Sequence, residues 1–228
     1  MKKKQKINEK QNIPQVKVCG LTNQDEAAGC VSLGADAIGC VFFSKSPRNV
    51  SLNQAKKIVR ALPSHVKTVG VFVNESFEGI MRAVEHCGLH AVQLHGQEPP
   101  ELPELLHQKG LTIIKALFME KSPLLSKAAD YRAAAYLVEC GKGELPGGNA
   151  VSWAWEDAME LGEKRPLILA GGLTPENISI AISSALPDAV DVSSGVESSP
   201  GRKDLDKVAA FIRSVKKCGM NKTIKKVF

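Results

Sequence analysis

Short apolar runs recur along the chain at regular intervals. Longer stretches that mix apolar and polar residues at helical spacing separate them. Eight runs stand out: 16–19 VKVC, 37–43 AIGCVFF, 66–73 VKTVGVFV, 90–94 HAVQL, 111–118 LTIIKALF, 134–138 AAYLV, 166–170 PLILA and 188–193 DAVDVS. They are rich in Val and Ile and nearly continuous, the pattern of parallel strands covered on both faces. The intervening stretches carry helix punctuation. Residues 23–33 open on a polar cap with an acidic first turn and stop at Gly34. Ser51 is the expected N-cap of 51–62, with Pro63 just beyond; 75–87 stops at Gly88, and 98–109 at Gly110. Residues 122–130, 152–161, 175–185 and 203–217 complete the series. In the seventh, Thr174 is the expected N-cap, with Pro175 at the first helical position.

Eight strand–helix pairs in one chain of 228 residues predict a single-domain α/β fold, the (β/α)8 TIM barrel. A doubly wound open sheet is the competing architecture. It would normally carry GxGxxG after its first strand, and CGLTNQ does not supply one. The expected layout is a flexible basic tail over 1–14, the barrel over 15–217, and a basic C-terminal tail over 218–228.

Charge changes this picture little. The net charge is +6, but residues 1–14 hold five lysines against one glutamate, and residues 216–228 hold five more lysines. The chain between them is therefore net acidic. A basic face for nucleic acid is not indicated, and aromatics are few and do not interleave with the lysines. No run approaches the roughly 20 apolar residues of a membrane helix, and the basic start lacks the apolar segment of a secretory signal. The six cysteines are scattered singly, without CxxC or Cys/His spacing. Free thiols, a cytoplasmic setting, no metal and no cofactor are the expectation.

In a barrel of this kind the chemistry sits at the C-terminal ends of the strands. That rule selects Cys19, the SKSPR loop with Arg48, Asn74, His95, Glu139, the GGL turn and the DVSSGVE segment. Two loops together suggest a phosphate cradle. Gly171 and Gly172 follow the seventh strand, and Ser193, Ser194 and Gly195 follow the eighth, where glycines permit close backbone approach and serines add donors. A helix N-terminus after such a loop would add free N–H groups. Cys19 is a candidate base if its surroundings favour the thiolate, and otherwise a small core residue. Arg48 can bind a carboxylate bidentately, or can be a surface charge. Glu139 can be an acid raised by burial, or a solvated loop carboxylate.

Six segments, KVCGLT, GADAIGCVFFSKSPRNVS, VGVFVN, AVQLHGQE, LILAGGLTPENI and AVDVSSGVESSPGRKD, run in order from about residue 16 to 204. Together they resemble the phosphoribosylanthranilate isomerase family of tryptophan biosynthesis. The resemblance implies a (β/α)8 barrel without cofactor. It also implies an Amadori rearrangement of N-(5-phosphoribosyl)anthranilate to 1-(2-carboxyphenylamino)-1-deoxyribulose 5-phosphate. By that resemblance Cys19 is the general base and Arg48 holds the anthranilate carboxylate. His95 and Asp191 line the anthranilate side. The partner is a small phosphorylated substrate, and the protein is a monomer or homodimer.

One departure stands out. The family carries an aspartate after strand six, then a GGTG…FDW-like segment. Here the strand ends in Glu139, and residues 147–155 read GGNAVSWAW, with Ala150 for a glycine and Trp153 and Ala154 where Phe and Asp are usual. A weakly active or non-catalytic phosphate-ligand binder on the same barrel is therefore the second expectation. A neighbouring indole-forming synthase would need a catalytic lysine in AIGCVFF, which has none.

Overall fold

The structure, a computed structural model, describes residues 12–142 and 153–228. Eight parallel strands close into a barrel in chain order: β1 (Gln15–Cys19), β2 (Ala37–Phe42), β3 (Lys67–Phe72), β4 (Ala91–Leu94), β5 (Thr112–Phe118), β6 (Ala135–Glu139), β7 (Leu167–Leu169) and β8 (Ala189–Val192), with β8 pairing back onto β1. Closure leaves no free sheet edge, and it settles the choice between barrel and open sheet. A short antiparallel pair, β9 (Glu197–Ser199) and β10 (Arg202–Lys203), follows β8. No helix among the described residues is long and apolar enough to cross a membrane.

Among the described residues seven α-helices surround the barrel: α1 (Gln24–Leu33), α2 (Leu52–Arg60), α3 (Phe77–Cys87), α4 (Glu101–His107), α5 (Met159–Lys164), α6 (Ile178–Ala185) and α7 (Leu205–Lys216). Their starts follow local chemistry. Asn23, Ser76 and Asp204 each accept a bond from a first-turn N–H, and Ser51 and Gln54 form a reciprocal capping box. The fifth expected helix departs from the pattern. Residues 122–130 hold only a 3-10 turn, Leu125–Asp130, because Pro123 and the extended Leu124 leave too few residues for a stable α-helix. The sixth begins as a 3-10 turn at Trp155 and continues into α5. Thr174 caps the turn leading into α6 through Glu176 N–H, and α6 itself starts three residues after Pro175.

The strands have two apolar faces, as their continuous hydrophobicity requires. Inward residues such as Val69, Ile114, Leu137 and Ile168 form the barrel interior, while a larger layer packs the outward faces against the helices. Burying these side chains contributes roughly 1.5–3 kcal/mol each.

The C-terminal segment, expected as a basic tail over 218–228, packs onto the barrel. Met220 and Phe228 are buried, and Met220 N–H donates to the Asn12 carbonyl at 3.0 Å. Lys225 donates its backbone N–H to Asp188 and its Nζ to the carbonyls of Gly162, Glu163 and Arg165. The Gln15 side chain accepts from the N–H groups of Val227 and Phe228 and donates to the Phe228 carbonyl. The Phe228 ring thereby joins the interior cluster at the N-terminal end of the strands. Residues 1–11 of the expected N-terminal tail, and 147–152 of the segment that departs from the family pattern, lie outside the described residues.

Candidate active site

A pocket opens at the C-terminal ends of the strands. Ten of the eleven residues singled out above line it: Cys19, Arg48, His95, Glu139, Gly171, Gly172, Asp191, Ser193, Ser194 and Gly195. Asn74 does not. It ties two loops together instead, accepting from Gln97 N–H at 2.6 Å, while its own N–H donates to Glu98. Glu98 also pairs with Lys115 at 2.7 Å, a fully buried bridge that organises the turn after β4.

Cys19 ends β1, and its thiol lies over β2 where Gly39 is its register partner. A Cβ at position 39 would fall 2.7 Å from Cys19 Sγ, so only glycine leaves room for the sulfur. Beneath it, two residues back on the same face, sits Lys17, fully buried and 2.8 Å from Asp191 Oδ2. Burial pushes the Cys19 thiol up, and the neighbouring Lys17 ammonium pulls the other way without overcoming it. Burial also works against the Lys17 charge, but attraction to Asp191 and Cys19 outweighs it and holds this ammonium above its usual value. Asp191 Oδ1 is buried with no hydrogen-bond partner among the described residues.

Arg48 is not an open guanidinium. Its Nε and Nη2 bond both oxygens of Glu197 at 2.8 and 2.7 Å, leaving Nη1 outside the clasp. Lys203 Nζ bonds the same carboxylate at 2.7 Å. Burial pushes Glu197 up, but the bonds from Arg48 and Lys203 prevail and hold it below the usual carboxylate value. Lys203 Nζ also donates to the Ser193 carbonyl at 3.1 Å, and Ser193 Oγ donates to the Cys19 carbonyl at 3.1 Å. This chain joins the β2 and β8 loops to the end of β1.

Glu139 is buried, with 6% of its surface exposed, so the bland solvated reading fails. Its Oε1 lies 3.4 Å from His95 Nε2. The His95 ring stands edge-on to Phe118 at 5.6 Å, and Phe118 is the register partner of Glu139. Beyond Glu139, Gly171 has φ +83, in the left-handed region that glycine tolerates; a Cβ there would lie 3.0 Å from Glu139 Cβ. Trp153 Nε1 donates to the Ala170 carbonyl at 3.0 Å, a bond that the usual Phe could not make. Asn177 fixes the glycine turn, donating to the Gly172 carbonyl and accepting from Thr174 N–H. The Ser194–Val196 segment is a single 3-10 turn.

Sequence reasoning missed Lys17, Gln93, Glu197 and Lys203. Lys17 and Gln93 left a signal, each a polar residue inside an otherwise apolar strand. Glu197 and Lys203 sit in the SSGVESSPGRKD segment, but their pairing with Arg48 is a long-range fact. Among the described residues, no group of three or more His, Cys, Asp or Glu is placed to hold a metal ion.

Comparison with known proteins agrees with this geometry. A family model described as "PRAI: N-(5'phosphoribosyl)anthranilate (PRA) isomerase" matches residues 16–214. A protein of Desulfatibacillum aliphaticivorans named N-(5'-phosphoribosyl)anthranilate isomerase is 51% identical over 214 residues, covering 94% of this chain and 98% of the relative. The crystal structure of phosphoribosyl anthranilate isomerase from Thermotoga maritima superposes with a TM-score of 0.83 at 40% identity, covering 90% of this chain and all of that one. A crystal structure of a phosphoribosyl anthranilate isomerase in complex with reduced 1-(o-carboxyphenylamino)-1-deoxyribulose 5-phosphate gives a TM-score of 0.80 at 39% identity with the same coverage. With its barrel closed and its ten candidate residues gathered at one mouth, the chain belongs to the phosphoribosylanthranilate isomerase family.

Proposed function

We propose that this enzyme converts N-(5-phosphoribosyl)anthranilate to 1-(2-carboxyphenylamino)-1-deoxyribulose 5-phosphate, with Glu139 as general acid and Cys19 as general base. One observation carries the assignment of roles. A thiol on β1 and a carboxylate on β6 face one pocket, and the glycine and serine turns after β7 and β8 form its third wall. Those turns suit the substrate phosphate, and Arg48 Nη1 suits the anthranilate carboxylate.

The chemistry then runs in three steps. Glu139 gives a proton to the ribose ring oxygen. The bond from that oxygen to carbon 1 breaks as the nitrogen lone pair forms a C=N iminium. Cys19, in the fraction that the Lys17 ammonium sustains as thiolate against burial, takes the proton on carbon 2, and that electron pair makes a C=C bond while the iminium nitrogen becomes neutral. The resulting enolamine gains a proton at carbon 1 and loses its 2-hydroxyl proton, leaving a ketone. No atom is gained or lost, so an acid and a base suffice.

Glutamate in place of aspartate reaches one methylene further. Gly171 leaves space at the base of that side chain, where a Cβ would lie 3.0 Å from Glu139 Cβ. A binder without turnover draws no support from the close relatives, which carry the isomerase name. A solved relative from Thermotoga maritima is described as dimeric; for this chain we propose a monomer or a homodimer in the cytoplasm.

The test is turnover, followed as loss of substrate fluorescence. Cys19→Ala and Glu139→Gln should each slow it by about 100-fold or more. Native rates in both would overturn the assignment.

A further inference from the structure

We propose that Gln93 is a positioning residue: it holds His95 in the Nε2–H tautomer and thereby puts the acidic proton of Glu139 on Oε2. The proposal rests on Glu139 being the acid. Gln93 and His95 are two residues apart along β4 and its end, so both side chains point into the barrel mouth. Gln93 Nε2 meets His95 Nδ1 at 2.9 Å. An amide nitrogen only donates, so Nδ1 must accept, and the single proton of a neutral imidazole is left on Nε2. That N–H faces Glu139 Oε1 across the Phe118 edge. The oxygen nearest that N–H, 3.4 Å away, sits in its positive field and is the poorer place for a proton, and the other oxygen, Oε2, is left to carry it toward the substrate.

Turning the amide would reverse the chain. Gln93 Oε1 against Nδ1 would require Nδ1–H, and the bare Nε2 would then draw the Glu139 proton to itself. What selects between the two orientations is on the other side of Gln93. Gln93 itself lines the pocket, and its Oε1 is buried and has no hydrogen-bond partner among the described residues. It is an acceptor waiting for a donor, and the ribose hydroxyls and the anilino N–H are the donors this substrate brings. A substrate that donates to Oε1 locks the amide with its nitrogen toward His95. Binding and placement of the acidic proton are then one event.

The experiment is nitrogen-15 NMR of histidine-labelled native enzyme saturated with the reaction product, which brings the same donors, with the His95 signals assigned by their loss in His95→Asn. Nε2–H in the native enzyme is expected. In Gln93→Met a mixture or Nδ1–H should appear, with kcat about tenfold lower and KM changed far less. Nδ1–H in the native enzyme overturns the proposal without any variant having to fold. So does a Gln93→Met enzyme with native tautomer and native kcat. The two layers separate cleanly. Full turnover in Glu139→Gln would remove the acid on which the role depends, whereas Nδ1–H beside an inactive Glu139→Gln would remove only the Gln93 role.

Discussion

The two ends of the barrel use polar groups in opposite ways. At the N-terminal end the Gln15 amide makes bonds with both its oxygen and its nitrogen, Asp188 is shared by Leu167, Lys222 and Lys225, and the Phe228 ring fills the interior. At the C-terminal end Gln93 Oε1 and Asp191 Oδ1 are buried and unpaired, and Cys19 is a thiol raised by burial. An unsatisfied buried acceptor costs about 1–3 kcal/mol. One end of the same eight strands therefore uses its bonding capacity to hold the fold, and the other keeps it in reserve. Stability and catalysis are separated along the barrel axis by a few residues of each strand.

Lys17 lies where the two regimes meet, and it offers the strongest way to break that separation. Lys17→Met would leave Asp191 buried without its cation. A loss of about 3 kcal/mol is expected in urea unfolding, together with at least a tenfold loss of turnover. Adding Asp191→Leu should restore most of the stability and none of the activity. If both quantities returned together, the distinction between the ends would fail. At the far end, Phe228→Ala should lower stability by about 2 kcal/mol, less than for a mid-chain phenylalanine because the terminus can relax. Its kcat should be native; a parallel drop in kcat would show that the two ends communicate. The mildest effect concerns the Cys19 thiol. Difference titration of native enzyme against Cys19→Ala, read by thiolate ultraviolet absorbance, should give a midpoint above the ordinary 9.0. Lys17→Met should move it further up, since the cation that favours the thiolate is gone. A midpoint below 9.0 would mean that the charge of Lys17 dominates burial.

Much of this was legible in the chain because a (β/α)8 barrel converts strand order into position. Once the eight apolar runs are placed, the residue at each C-terminal end is a mouth residue, and Cys19, His95, Glu139 and the two cradle loops follow. Asn74 satisfies the same rule yet turns away into loop bonding, since the rule gives location and not side-chain direction. Arg48 was found, but its clasp by Glu197 was not, because the pair spans 149 positions and depends on how the β8 loop folds back. The C-terminal segment misled for a different reason. Its lysines read as a solvated tail, while Met220 and Ile224 pack against the outer layer and Phe228 enters the interior cluster. Charge density hid these apolar anchors.

The close approach of Gly39 to Cys19 bears on how the site could change over generations. The hydrogen at position 39 is the space in which the sulfur sits. Replacing Gly39 alone would drive a methyl group into the thiol, and replacing Cys19 with a bulkier base alone would meet the β2 backbone. The two positions form a lock with two tumblers: each accepts a new occupant only after the other has moved. A lineage exchanging this thiol for a larger side chain must cross a strained intermediate, or first shift β2 beneath it.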